Sequence, residues 1–264
     1  MIFAAADFSR LELHAYAQAC LSLVGFSKLA DRLNGGVDPL TSLACRMHGV
    51  SYEEGLRLKK DEDPVFSNVR TCAKGAMYGF MGMLGPKSFP TYARKQYKII
   101  VTEEQTRIYK KDWRAEVPES WKYEDYVKTL QTEDGQYLVR HLVSGRLRKT
   151  PFLPAACNSF FQGLGADAAG HALFLVSEAC YADRTSPLFG CRVVNFVHDE
   201  IILECEEERG HEALAELERL MVLGANVYLR DVPVKVDGRL MRFWSKDAKR
   251  LERNGKVVPW PQAA

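Results

Sequence analysis

Two short apolar segments, each followed by an aspartate, lie near opposite ends of this chain of 264 residues. The first is residues 2–6, followed by Asp7, and the second is residues 192–197, followed closely by Asp199. Apolar runs of this length are typical of strands, so each aspartate is expected at a strand end. Two aspartates at neighbouring strand ends can hold a pair of Mg²⁺ ions about 3.5–4 Å apart, as in-line phosphoryl transfer requires. The pair therefore predicts a fold that joins distant parts of the chain.

The composition excludes several broad classes of protein. Hydrophobic residues make up 47% and charged residues 27%, an ordinary globular balance that argues against global disorder. The net charge of +2 permits nucleic-acid binding without indicating it. The 7 cysteines include no Cys-x-x-Cys pair, which favours reduced thiols in a cytosolic protein over a zinc ribbon. The sequence contains no apolar run of 18 residues, so no membrane span is expected.

The pattern of apolar residues and turn signals predicts an α+β fold, in which a small antiparallel sheet is backed by helices and carries a helical insertion. A hairpin is predicted with its acidic residues at the tip. A further strand is expected at residues 232–236, with a loose polar tail after Lys246. The helices are predicted at residues 12–20, 40–47, 102–130, 164–181 and 212–228, with a further one that carries Arg70 and begins at Ser67.

Arg70, Lys74 and Tyr78 follow one another at intervals of four residues, which places them on one face of a helix. An arginine fork beside a lysine point charge suits the tail of a triphosphate. Gly75 and Gly79 each weaken a helix by about 1 kcal/mol relative to alanine, which is tolerable if a nucleotide base packs close to the backbone. The alternative for this spacing alone is a solvated basic face with an inward-packed aromatic ring.

In their order along the chain, residues 7–13, 70–79 and 197–200 resemble the three signature motifs of family A DNA polymerases. The similarity is strongest to the phage- and plasmid-type relatives of bacterial DNA polymerase I, and it covers about residues 2–245. The resemblance implies template-directed addition of dNTPs to a primer 3′-OH with release of pyrophosphate. It also implies a cytoplasmic location, in a bacterial cell or a phage-infected host.

The resemblance assigns the metal-binding and nucleotide-binding residues. Asp7 and Asp199 are expected to bind two Mg²⁺ ions, together with the backbone carbonyl of Phe8. Glu200 is expected near the primer end, and Lys74 is expected to serve both catalysis and dNTP binding. The other dNTP-binding residues implied are Phe8, Arg70, Tyr78 and Glu12. Glu12 matches the steric gate that excludes a ribose 2′-OH, although an acidic residue in the first turn of a helix is also favoured by the helix dipole.

Contacts with the primer–template DNA are implied for a second group of residues. Arg146, Asn158 and Gln162 match positions at the minor groove, where every base pair offers an N3 or O2 acceptor. His198 matches a residue near the terminal phosphate of the primer. The chain departs from the family at Gly82, where a tyrosine near the templating base is usual. This departure puts template positioning and fidelity in doubt.

The resemblance divides the chain into palm (1–22), fingers (23–140) and palm again (141–264). The thumb and the exonuclease-like domain are expected upstream of Met1, which suggests a split polymerase with a separate partner polypeptide, or a fragment. Two other classes stay open. One is a non-catalytic nucleic-acid-binding or subunit-interaction module, and the other is a two-metal nuclease. The Arg70, Lys74 and Tyr78 row argues against the nuclease, which has no need of a triphosphate site.

Overall fold

The computed structural model describes residues 1–261, and its elements confirm the predicted α+β class. The helices are α1 (Leu11–Val24), α2 (Lys28–Asn34), α3 (Pro39–His48), α4 (Tyr52–Lys60), α5 (Pro64–Met81), α6 (Phe89–Tyr97), α7 (Glu103–Glu116), α8 (Glu119–Lys128), α9 (Leu153–Tyr181) and α10 (Gly210–Asn226). The strands are β1 (Ile2–Phe8), β2 (Tyr137–Arg140), β3 (Leu147–Thr150), β4 (Arg192–Val197), β5 (Glu200–Cys205), β6 (Val236–Met241), β7 (Leu251–Arg253) and β8 (Lys256–Val258).

A four-stranded antiparallel sheet in the order β4-β5-β1-β6 brings the two ends of the chain together. Helix α10 packs on one face of this sheet, against β1 and β6. Gly210, the first residue of α10, permits the close approach, because a Cβ there would lie 2.7 Å from Cδ1 of Ile2. The central strand β1 therefore has hydrogen-bonded neighbours on both edges, and its end at Asp7 is held between β5 and β6.

The contacts divide the chain into two compact units. The first, the sheet unit, contains Met1–Glu12 and the described residues from Leu164 onward; the second, the helical unit, is Leu13–Gly163. Helices α1 and α9 each contain a point of division. The helical unit has a core of large side chains that includes Trp113, Tyr123 and Phe66, all fully buried.

Several predicted boundaries were wrong, each for a local reason. Helix α5 begins at Pro64 rather than at Ser67, because Asp63 caps it by accepting a hydrogen bond from the Phe66 N–H. Helix α9 begins at Leu153, eleven residues earlier than predicted from its apolar pattern. The last strand of the sheet is Val236–Met241, downstream of the predicted strand.

The tail that was expected to be loose is folded as far as the structure describes it. Strands β7 and β8 form a hairpin, and the Trp260 N–H donates to the Leu240 carbonyl. All 7 cysteines are buried free thiols, as a reduced protein would have them. No helix within residues 1–261 combines the length and apolar character that crossing a membrane requires.

Candidate active site

Asp7, Asp199 and Glu200 lie together at one end of the sheet unit. Asp7 pairs directly with Glu200 across β1 and β5, and residues paired in this way share a face of the sheet. The two-residue turn after β4 places Asp199 beside the end of β1, where the Phe8 N–H donates to the Asp199 carbonyl at 3.3 Å. The fold therefore unites the two aspartate motifs that the sequence separates by almost the whole chain.

The Asp199 carboxyl group has an altered proton affinity. Burial raises its pKa, and the negative charge of nearby Asp7 raises it further. His198, next in the turn, has a positive φ of 57°, a conformation that histidine tolerates better than most residues but that still costs energy. A half-buried carboxylate held beside a like charge in a strained turn is typical of a functional site.

Two residues of β6 complete this acidic end, and the sequence patterns did not reveal them. Asp237 is directly opposite Asp7 on the other side from Glu200. Arg239 donates from Nη1 to Asp7 Oδ1 at 3.2 Å and from Nη2 to Glu200 Oε1. The only available signal was the alternation of Asp237 and Arg239 on one face of a strand, and it was missed because the final strand was predicted to end at Val236.

The fit of the acidic end to divalent metal ions depends on its oxygen donors. Within residues 1–261 the structure contains no cluster of three or more acidic, histidine or cysteine residues arranged to enclose a metal ion. The oxygen donors available are the carboxylates of Asp7 and Asp199 and the backbone carbonyl of Phe8. The Phe8 side chain itself is buried and has no donor atom. Such an open, all-oxygen set fits Mg²⁺, which keeps several water ligands and is commonly held by one or two carboxylates and the phosphates of a substrate.

The row of Arg70, Lys74 and Tyr78 lies on helix α5 of the helical unit, as predicted. Lys74 is exposed, whereas Arg70 and Tyr78 are half-buried and most neighbouring positions of the helix are buried. Gly75 and Gly79 have a different role from the one expected. A Cβ at Gly75 would lie 3.2 Å from the Tyr97 ring, and aromatic side chains also crowd Gly79, so protein side chains pack where a base was expected.

Arg70 is held by Asp38, which also caps the neighbouring helix α3. Asp38 caps α3 by accepting from the Leu40 N–H, and its Oδ2 also accepts from Arg70 Nη2 at 3.0 Å. Lys59 donates to the same oxygen at 3.2 Å. Lys74, one turn along from Arg70, has no hydrogen-bond or ion-pair partner among the described residues. The cationic row is therefore partly neutralised at Arg70 and open at Lys74.

The residues assigned to DNA lie on three different elements. Arg146 is exposed in the turn between β2 and β3, where its carbonyl accepts from the His141 N–H. Gln162 is exposed and Asn158 half-buried, one turn apart within α9 rather than ahead of a helix as expected. A Cβ at Gly82 would lie 3.9 Å from Asn158 Oδ1. Gly82 has a φ of −73°, so the backbone does not require glycine at this departure from the family pattern.

Glu12 lies in the first turn of α1 and is half-buried. This position is favourable for an acidic residue because of the helix dipole, and the steric-gate role of Glu12 stays a prediction. His198 is exposed at the tip of the β4–β5 hairpin. The sites of Asp7, Glu12, His198 and Asp199 thus belong to the sheet unit, whereas Arg70, Lys74, Tyr78, Arg146, Asn158 and Gln162 belong to the helical unit.

Comparison with known proteins gives a consistent result along nearly the whole chain. The family model described as DNA polymerase family A matches residues 1–246. DNA polymerase I of Aquifex aeolicus (strain VF5) is 27% identical, over 93% of this chain and 39% of its own length. The thermostable DNA polymerase I of Thermus filiformis is 27% identical over 91% of this chain and 26% of its own length. The chain therefore spans well under half the length of these relatives.

A solved structure has a similar fold. The POL domain of Pol1 from M. smegmatis, in a complex with DNA primer–template and dNTP, matches with a TM-score of 0.67 and 23% identity. The match covers 92% of this chain and 40% of that one. At this identity the likeness supports the fold.

Proposed function

The chain belongs to DNA polymerase family A, and on that premise we propose that it is the catalytic portion of a DNA-directed DNA polymerase. Residues 1–22 and 141–264 would form the palm, of which 262–264 lie outside the described residues, and residues 23–140 would form the fingers. The observation that carries the proposal is the union of Asp7, Asp199 and Glu200 at one end of the sheet, by direct strand pairing and the Phe8–Asp199 hydrogen bond. A shared fold alone would not specify the reaction, because function resides in the site.

The carboxylates of Asp7 and Asp199 and the Phe8 carbonyl would hold two Mg²⁺ ions, which when bound lower the pKa of the primer 3′-OH and stabilise the leaving pyrophosphate. The chain's own contribution is the placement of these oxygens. The sheet fixes Asp7 between two hydrogen-bonded neighbours, and the tight turn after β4 fixes Asp199. Fixed charges cost little reorganisation during the reaction, which is how enzyme sites stabilise developing charge.

The row on α5 would bind the triphosphate of the incoming dNTP. Lys74 is exposed on the helix face, so its ammonium group is available to phosphate oxygens. Arg70 would add a bidentate contact after exchanging Asp38 for phosphate. Tyr78, one turn beyond Lys74 on α5, would face the sugar and base. Glu12 would exclude the 2′-OH of a ribonucleotide, and Arg146, Asn158, Gln162 and His198 would contact the primer–template.

Strand β4 favours a second candidate function, that of a subunit-interaction module. It is an edge strand with one neighbour, and its apolar residues Val194, Phe196 and Val197 are 47%, 37% and 42% exposed. An exposed apolar edge is a template for pairing with another strand. In the catalytic proposal the same edge would receive a separate polypeptide that carries the thumb region. The two candidates differ in one property, since only the first adds nucleotides to a primer.

Lys74→Ala is the variant that tests the triphosphate role. Loss of one charge-assisted phosphate contact is expected to raise KM for dNTP by at least about tenfold, since hydrogen bonds to charged groups contribute about 1.5–3 kcal/mol. The measurement is steady-state primer extension with Mg²⁺ at varied dNTP concentration. Lys95→Ala, which removes an exposed lysine from the neighbouring helix α6, is the matched control. An unchanged KM in Lys74→Ala would contradict the role.

A further inference from the structure

Arg239 occupies an unusual place for an arginine, because it lies across the acidic end of the sheet. Its directly opposite residue on β1 is Ala5, two positions before Asp7, and Glu200 lies on β5, beyond β1. Two strand spacings amount to about 9.6 Å, a span that an arginine and a glutamate side chain bridge together. The small side chain of Ala5 leaves space for the guanidinium group to cross β1. The result is one cation that touches carboxylates on two other strands.

The ion pairs of Arg239 are largely buried, unlike those of a surface arginine. The Arg239 side chain is 19% exposed and that of Glu200 is 16% exposed, so both charges are largely removed from water. Charged groups that are largely removed from water need an oppositely charged or hydrogen-bonded partner. Asp7 pairs with Glu200 on β5 and with Asp237 on β6, and Arg239 bonds to the carboxylates of Asp7 and Glu200. The Arg239 Nε is buried and has no hydrogen-bond partner within the described part of the chain.

The bond to Asp7 is the weaker and more accessible of the two. Asp7 is 42% exposed and its contact with Arg239 Nη1 is 3.2 Å long. Mg²⁺ and similar cations bind carboxylate oxygens directly and in a nearly fixed geometry. A guanidinium that bonds to the same Asp7 oxygen competes with such a cation for its lone pairs. A cation that binds Asp7 through Oδ1 therefore competes with the Asp7–Arg239 bond, while the bond to Glu200 can persist.

We infer that Arg239 is a positioning residue that holds Asp7 and Glu200 in place before metal binding and is displaced from Asp7 when a divalent cation enters. The inference rests on the proposed metal role of Asp7. It gives Arg239 two opposing effects, since it stabilises the metal-free protein and weakens the binding of the first cation. Such a counter-ion keeps a cluster of carboxylates from repelling one another in the absence of metal.

Binding of Mn²⁺ to the full chain, followed by the electron paramagnetic resonance signal of the free ion, tests this inference without any activity. We expect Arg239→Gln to bind Mn²⁺ about threefold to tenfold more tightly than the wild type. Arg239→Lys keeps the positive charge but cannot bridge two carboxylates, so it is also expected to bind Mn²⁺ more tightly than the wild type. Both variants are expected to unfold at a lower temperature in the presence of EDTA.

The control is Arg242→Gln, which removes an arginine just after the same strand whose partner is Glu207, outside the acidic end. It is expected to leave Mn²⁺ affinity unchanged. If Arg239→Lys binds Mn²⁺ with wild-type affinity, only a general effect of charge remains and the inference is overturned. If Arg239→Gln binds Mn²⁺ no more tightly than the wild type, Arg239 does not compete with the cation and the inference is likewise overturned. The Asp7→Asn variant distinguishes failure of the proposed metal site from failure of the role of Arg239. If Asp7→Asn binds Mn²⁺ as the wild type does, the metal site itself is refuted, and the role of Arg239 with it.

Discussion

Asp199→Asn is expected to reduce primer extension by at least about 10²–10³-fold, the usual cost of removing a fixed charge that stabilises a transition state. Asparagine keeps the size of the side chain but supplies only one neutral oxygen in place of a carboxylate. The turn that places residue 199 is held by backbone contacts, including the Phe8–Asp199 hydrogen bond, so the geometry is expected to survive. The measurement is the rate of single-turnover extension with saturating Mg²⁺ and dNTP.

The control for folding follows from the pKa of Asp199, which burial and the charge of Asp7 raise. The folded protein holds this proton more tightly than the unfolded chain, so stability falls as pH rises from about 3.9 through the raised folded pKa. Asp199→Asn removes this cost and is expected to unfold at a higher temperature than the wild type at pH 7 in EDTA. Asp247→Asn, an exposed acid of the same unit, is expected to change neither property. Undiminished extension by Asp199→Asn would contradict the catalytic role.

Glu116→Ala is expected to destabilise the helical unit by about 3–5 kcal/mol, the usual effect of breaking a buried ion pair. Glu116 is 2% exposed at the end of α7. Its carboxylate forms an ion pair with Arg32, 3.0 Å from Nη2, and accepts hydrogen bonds from Arg46 Nε at 2.9 Å and from the Ser42 hydroxyl. Alanine would leave these donors without their acceptor and would open a small cavity.

Urea unfolding followed by circular dichroism measures this loss. Glu103→Ala is the matched control, because Glu103 lies on the same helix and also pairs with an arginine, Arg107, but both side chains are exposed and 3.7 Å apart. That change is expected to stay within about 0.5 kcal/mol of the wild type. A loss below about 1 kcal/mol in Glu116→Ala would show that the buried network contributes little to stability.

The sequence predicted the parts of the fold that have local signals. The β4–β5 hairpin and the helix carrying Arg70, Lys74 and Tyr78 follow from periodicity and turn residues. The start of α3 follows from its aspartate cap and the proline behind it. These features depend on neighbours in the chain, so a single sequence can reveal them.

The pairings that complete the candidate site depend on strand register and on contacts between distant residues. Arg239 reaches Asp7 only because β6 begins at Val236 and pairs with β1 in one particular register. Asp38 is recognisable from sequence only as a helix cap. Its bond to Arg70 depends on how α3 packs on α5. The early start of α9 was missed because Asn158 and Gln162 are residue types common in caps and turns and Gly163 lowers helix propensity, preferences that packing then overrides.

Template-directed addition of a single nucleotide is the most direct measurement of the proposed function. The purified chain is given Mg²⁺, a primer–template and each dNTP in turn, with and without a polypeptide that carries a family A thumb. We expect only the complementary dNTP to be added, with one pyrophosphate released for each addition, in at least one of these two conditions. Failure of the folded chain to add the complementary nucleotide in both conditions would contradict the proposal that it is the catalytic portion of a DNA polymerase.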